Sequence, residues 1–320
     1  MLVINRLKFW ILGLFLIFYL FGVIILSAIS LHSFKPSTNL QSKSLANQDK
    51  LSLLPKPHHI LKKTAIYDYT AGGFRPILKR SKIQWCSDLK YLPIDPAMGQ
   101  QKPIALVSFP GSGNTWLRYL LQQATGYYTG SIYRDYGLLK NGFPAESIVD
   151  TTVLAVKTHE WGSNARNMFS KAVLLVRAPD KSIQAEFNRQ SGGHIGFASP
   201  DRYKRSKGKY WQQFVNDNLR GWQQLNLDWL HNFTGPLHVM FYEKLVEDTE
   251  TSLKAVINFL GVYVPGKKFD CAIQRKEGIY RRRKRVLNFD PFSVEMRVRI
   301  KEAQDRVYQE IYKTKLVEER

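Results

Sequence analysis

Four groups of residues in this chain could do chemistry together. Ser108-Phe-Pro-Gly-Ser-Gly-Asn-Thr-Trp116 is a glycine-containing loop. Gly111 and Gly113 let successive backbone N–H groups turn toward one point, and a helix N-terminus behind them adds partial positive charge. Ser112, Asn114 and Thr115 add side-chain donors. Such a cradle suits a phosphate or a sulfate. The same residues also suit an ordinary strand-to-helix turn with an Asn or Thr cap. The loop does not end in Gly-Lys-Ser/Thr, so it is not the phosphate loop of an ordinary ATPase or GTPase. His159, with a reference pKa of ~6.5, can accept a proton, and Lys157 lies two residues before it, on the same face of a strand. Arg177 offers a guanidinium, which binds phosphate through paired bonds. Arg275 to Arg285 holds seven bases and one acid, a local net charge of +6.

These residues need elements to position them. Ile104–Phe109 is a short apolar run that suits a buried strand, and Thr115–Ala124 reads as a helix with Trp116, Leu117, Leu120 and Leu121 on one face. Val153–His159, Ala172–Arg177 and Leu237–Tyr242 are further strands. Helices are expected over Asp180–Arg189, Tyr210–Leu230, Glu243–Leu260 and Ser293–Lys315. Buried strands alternating with helices imply a mainly parallel α/β sheet, P-loop-like, with helices on both faces. In such sheets the site lies beyond the carboxyl ends of the strands, where Gly111, His159 and Arg177 all fall.

The N-terminal segment bears on compartment. Residues 9–31 carry no charge over 23 positions, long enough to span a bilayer as one helix. Arg6 and Lys8 precede them, which keeps residues 1–8 in the cytosol as a short tail. A cleaved signal peptide would have a shorter apolar region. The expectation is a single-pass type II signal anchor, a polar stem over 32–84, and a lumenal domain over 85–320. The chain has 320 residues and a net charge of +21, which calls for an acidic partner. The anchor argues against nucleic acid and leaves a phosphate-rich cofactor, an anionic glycan or a lipid surface. In a secretory compartment Asn232-Phe-Thr234 is a usable glycosylation sequon, and the two cysteines, Cys86 and Cys271, could form a bridge. No cysteine-rich metal site is expected.

The loop, Lys157-Thr-His159 and Val176-Arg177 resemble the sulfotransferase superfamily. Tyr242-Glu243 and Phe259-Leu-Gly261 resemble two further landmarks of it. Ala105–Gly130, Glu186-Phe-Asn-Arg189 and Gly192-Gly-His194 are similar to its WSCD group, here as a short member without the WSC modules. The resemblance implies transfer of a sulfonate from 3′-phosphoadenosine 5′-phosphosulfate (PAPS), without a metal, to a hydroxyl of a glycan or glycoconjugate, in the Golgi or another secretory membrane. It implies that Gly111, Ser112, Gly113, Asn114 and Thr115 hold the 5′ end of the cofactor. Trp116 would stack on adenine, or else pack in the core. Arg177 would meet the 3′-phosphate, and Arg275, Lys276 and Gly278 would close over it, with Tyr242 nearby. His159 would be the general base.

Two positions depart from the family pattern. Gly111 stands where the family has the lysine that stabilises the leaving oxygen, so Lys157, or less favourably Arg118, would take that role. Ala185 stands where a serine is usual, with Ser182 nearby in sequence. A catalytically weak or inactive protein that binds PAPS or a polyanion is the alternative. The basic stretch Arg202–Lys209 is expected to be a lid or an acceptor-binding loop.

Overall fold

The computed structural model describes residues 83–93, 102–281 and 287–318. The expected tail and anchor, almost all of the stem, and Arg282 to Arg285 lie outside them. Among the described residues no helix is long and apolar enough to cross a membrane.

Five strands form one sheet: β1 (Ile104–Ser108), β2 (Gly130–Ser131), β3 (Val156–Thr158), β4 (Lys171–Val176) and β5 (Leu237–Phe241). Their order is β2-β3-β1-β4-β5, and every neighbouring pair is parallel. Chain order reverses around β1, and that is where such a sheet opens a crevice for ligand. The connecting helices are α1 (Asn114–Thr125), α2 (Tyr136–Leu139), α3 (Ser163–Arg166), α4 (Pro179–Gly192), α5 (Pro200–Lys204) and α6 (Lys209–Asn232). After β5 come α7 (Tyr242–Glu247), α8 (Thr249–Leu260), α9 (Gly266–Gln274) and α10 (Val294–Glu318). The expected parallel sheet with helices on both faces is therefore present.

Period-2 alternation sorts the core. Ala105 and Val107 of β1, with Ala172, Leu174 and Val176 of β4, pack with buried residues of α4, α6 and α10. Leu106, Val173 and Leu175 point the other way, into a cluster with α1, α8 and α9. Strands covered on both sides read as unbroken apolar runs for this reason.

Helix α6 does more than cover the sheet. Trp211, Trp222 and Trp229 are almost wholly buried, each burial worth on the order of 3 kcal/mol. A buried indole N–H needs an acceptor. Trp222 donates to the Arg177 carbonyl at 2.9 Å, and Trp229 to the Glu160 carbonyl at 2.9 Å. Two strand-end segments are thus tied to one helix.

The structure corrects several expected boundaries. The single helix expected over Glu243–Leu260 is two, α7 and α8, broken at Asp248, whose carboxylate caps α8 by accepting from Thr251 N at 3.0 Å. The short β2 and the helix α9 were not expected. The basic Arg202–Lys209 stretch is not an open loop. It folds as the end of α5, a 3₁₀ turn (Arg205–Gly208) and the start of α6, with positive φ at Ser206 and Lys207. Arg202 lies over the Phe187 ring and Arg205 over the Tyr210 ring, so these cations pack on aromatic side chains.

Cys86 and Cys271 form a disulfide with a Cα–Cα distance of 5.9 Å. The segment bearing Cys86 is further held by Gln123, which donates to Gln84 O and accepts from Cys86 N. Ile83 and Trp85 pack against the α1 side of the core.

Candidate active site

The β1–α1 loop is set by backbone geometry. Gly111 and Gly113 have φ of +80° and +97°, a region that L side chains rarely adopt. A Cβ on Gly111 would stand 2.8 Å from Glu186 N and closer still to the Ser182 carbonyl oxygen. On Gly113 it would stand 2.5 Å from the Tyr242 ring. The loop is clamped between α4 and Tyr242, with no room for a side chain at either glycine. Asn114 braces it from beneath, donating to Leu106 O at 3.0 Å and to Ser108 Oγ at 3.1 Å. Arg177 braces it from the next strand end, where Nη1 donates to Gly111 O at 2.7 Å and the guanidinium lies 4.2 Å from the Tyr242 ring centre. Its Nε is buried and, among the described residues, has no partner.

His159 follows β3. Its Nδ1 is 2.6 Å from the Ser108 carbonyl oxygen. A carbonyl only accepts, so Nδ1 carries the proton and Nε2 is left with its lone pair. Burial first, and then the charge of Lys157, lowers its pKa to about 3. The ring is therefore neutral at physiological pH. Lys157 is 7% exposed, and burial, followed by the charge of Arg118, lowers its pKa to about 8. Its ammonium sits 5.4 Å from the Tyr133 ring centre and, among the described residues, has no ion-pair partner.

Both groups open on one cleft of about 1370 Å³. Its lining includes Gly111, Thr115, Trp116, Arg177, Tyr242 and Arg281, and also Tyr133, Asp135, Lys157, His159, Glu160 and Trp161. The arrangement can seat an anion against the loop and take a proton from a group beside His159. Among the described residues no cluster of three or more His, Cys, Asp or Glu could hold a metal ion.

No family model matches the chain. A WSCD family member of Drosophila melanogaster is 56% identical over 251 residues, 72% of this chain and 79% of that one. Another from Aedes aegypti is 53% identical over 250 residues, with the same shares. This chain belongs to the WSCD family. Among solved structures, a mouse sulfotransferase complexed with PAP is similar at 18% identity and a TM-score of 0.42, over 65% of this chain and 83% of that one. Retinol dehydratase in complex with androsterone and inactive cofactor PAP is similar at 16% identity and 0.39, over 64% and 80%. Likenesses at these scores carry no argument about the site.

Several residues of this WSCD protein stand elsewhere than the sequence suggested. Arg275 turns away from the cleft and donates to Gln84 O and Trp85 O, both at 3.1 Å. Lys276 reaches the site through its carbonyl, which accepts from Trp116 Nε1 at 2.7 Å. Gly278, at φ +52°, passes under the Tyr119 ring and does not line the cleft. Arg281 is the described base of this stretch that does, lying 5.2 Å from the Trp116 ring centre. Ser112 is buried below the loop, and Trp116 is 2% exposed, so core packing is part of its role. Ser182 is buried beneath Gly111, its Oγ donating to Pro179 O. Asn232 lies on the surface at the end of α6.

Arg118 is corrected outright as a source of catalytic charge. It is 0% exposed, pairs with Glu146 at 2.6 Å, and gives two more bonds to Thr129. All its reach is spent inside the core, where losing one partner of such a pair is costly.

Sequence reasoning missed Tyr133. Its hydroxyl accepts from His159 N at 3.0 Å and donates to Glu160 Oε1 at 2.8 Å, and its ring stacks on the imidazole. Burial, then Glu160, pushes the phenol pKa up, so it stays protonated. It also missed the pairs Glu186–Arg189 and Asp135–His194, each closing at 2.6 Å. Tyr133 sits in no motif and is found by proximity alone.

Proposed function

We propose that this protein is a PAPS-dependent sulfotransferase that moves a sulfonate to a hydroxyl of a glycan or glycoconjugate. Residues 9–31 anchor it as a single-pass type II protein of the Golgi or another secretory membrane, with the catalytic domain in the lumen. One observation carries the reading. His159 hangs by Nδ1 from the carbonyl of Ser108, the residue that opens the glycine loop. The proton acceptor and the anion cradle are thereby fixed to the same strand end.

The residues present fit the cofactor. The loop N–H groups and the α1 N-terminus suit the 5′ end, and the unpartnered Nε of Arg177 suits a phosphate oxygen. When bound, PAPS supplies a sulfonate on a phosphate–sulfate anhydride, and 3′-phosphoadenosine 5′-phosphate (PAP) is the product left behind. His159 Nε2 takes the proton of the acceptor hydroxyl. Anionic charge nearby raises its basicity from the low value set by burial and Lys157. Lys157 provides the cation that the family lysine would provide at Gly111, where α4 leaves no space. Tyr133 holds both in place through its hydroxyl and its ring.

A second reading has its own support. With no side chain possible at Gly111 and an imidazole pKa of about 3, the protein fits a weak or inactive relative that binds PAPS. The experiment that separates them uses the full chain in detergent, labelled PAPS and a pool of cell-surface glycans. Incorporated label is expected. Intact PAPS binding without transfer favours the second reading, and absence of both sinks the two together.

A further inference from the structure

We propose that Trp161 is the platform on which a pyranose ring of the acceptor stacks. The inference rests on the sulfotransferase reading and names the part of the acceptor that the cleft grips. Trp161 lines the cleft and is 45% exposed, against a general pattern in which a large indole is highly buried. It lies two residues after His159, at most about 7 Å along the chain. Both side chains line the one cleft, so a ring on this indole shares that cleft with the hydroxyl that His159 would deprotonate.

The exposure is not that of a fraying segment. The chain on either side of Trp161 is tied down. His159 N donates to Tyr133 Oη at 3.0 Å, and Glu160 N to Thr158 Oγ1 at 3.0 Å. The Glu160 carbonyl accepts from Trp229 Nε1, and Gly162 N donates to Asp228 Oδ2 at 2.7 Å. Asp228 is itself paired with Arg166. A backbone held at four points carries a half-exposed indole, so recognition there needs little ordering of the protein.

The lining selects the occupant. The cleft that the indole lines also carries Asp135, Glu160, Asn188 and Arg189, all polar groups able to bind hydroxyls. Glu160 and Asp135 are already oriented, by Tyr133 and by His194. An exposed indole in a cleft that also carries carboxylate, amide and guanidinium groups matches a sugar, which has a C–H face and a rim of hydroxyls.

The test uses the full chain in detergent, saturated with PAP, and a fluorescently labelled pool of released glycans. Wild type should retain part of the pool. Trp161→Ala should lower retention about tenfold and raise the acceptor KM by a similar factor, while Trp161→Phe stays within about threefold of wild type. PAP affinity and melting temperature should be unchanged in both variants, which separates a platform from a structural role. Equal retention by Trp161→Ala, absence of retention by wild type, or preference for a tyrosine peptide over glycans overturns the proposal. Retention that depends on Trp161 without any transfer leaves the platform standing and removes the sulfotransferase reading.

Discussion

The turn after β1 and the turn after β3 meet at Ser108, yet they are built in opposite ways. The first is held by steric closure. Glycines at positive φ lie against α4 and Tyr242, and what it offers a ligand is mainly backbone N–H. The second is held by side-chain hydrogen bonds from Tyr133, Trp229 and Asp228, and what it offers is side chains: an imidazole, a carboxylate and an indole. A cradle made of backbone recognises charge and tolerates almost no substitution. A rim made of side chains can change its specificity residue by residue without disturbing the sheet.

The contrast is broken hardest at Gly111. Gly111→Ala adds a methyl where the Ser182 carbonyl and Glu186 N already stand, at a φ that costs a further ~1 kcal/mol or more. Loss of measurable PAP binding is expected, with a melting temperature well below wild type. Gly111→Lys should fare no better, because its Cβ meets the same backbone atoms. Calorimetric PAP binding and a thermal melt read both.

On the other side, His159→Ala should reduce transfer by about 10²–10⁴ while PAP affinity stays within about twofold. An equal loss of PAP affinity would place His159 in the cradle. Arg177→Ala should do the reverse, weakening PAP by about 10–100-fold, since it removes both a charged contact and the bond to Gly111 O. Unchanged affinity would refute that role.

Lys157 links the two regions, and pH reads it. In the free protein His159 is neutral above about pH 3, and Lys157 is charged below about pH 8. Transfer measured as kcat/KM should therefore be flat from pH 6 to 7.5 and fall as pH rises through about 8. The same shift has a cost in stability. The folded-state pKa of Lys157 lies below its unfolded value, so burying the charge penalises the fold at neutral pH, and the penalty fades as pH rises from about 8 to 10.5. Lys157→Met should raise stability at pH 7 by on the order of 2 kcal/mol and lower kcat. A melt at pH 7 and at pH 10 should show the gain shrinking. The smallest change is expected from Tyr133→Phe, which keeps the stacked ring and removes the bonds to His159 N and Glu160. A loss of about fivefold in kcat with an unchanged KM for PAPS is the expected result.

Much of the frame was legible in the chain. Apolar runs such as Ile104–Phe109 and Ala172–Arg177 are unbroken because both faces of a parallel strand are buried. The glycine pair, His159 and Arg177 could be placed at strand ends from order alone. Boundaries failed where a capping side chain decided them, as at Asp248. The role of Arg118 could not be read, because Thr129 and Glu146 are brought to it only by the packing of α1 against the segments on either side of β2. Arg275 was misread for a similar reason: a basic run looks the same in sequence whether it faces the cleft or the Gln84–Trp85 backbone.

The sequence by itself determined the α/β order, the strand ends that carry the loop and the histidine, and the two glycines of that loop. Only the tertiary structure decided why Gly111 cannot be otherwise, which nitrogen of His159 holds the proton, and that Tyr133 stacks on its ring. The physical reason is range. Periodicity and turn chemistry act between near neighbours in the chain. The pressure of α4 on Gly111 and the bond from His159 to Ser108 span 71 and 51 positions, and exist only once the sheet has closed.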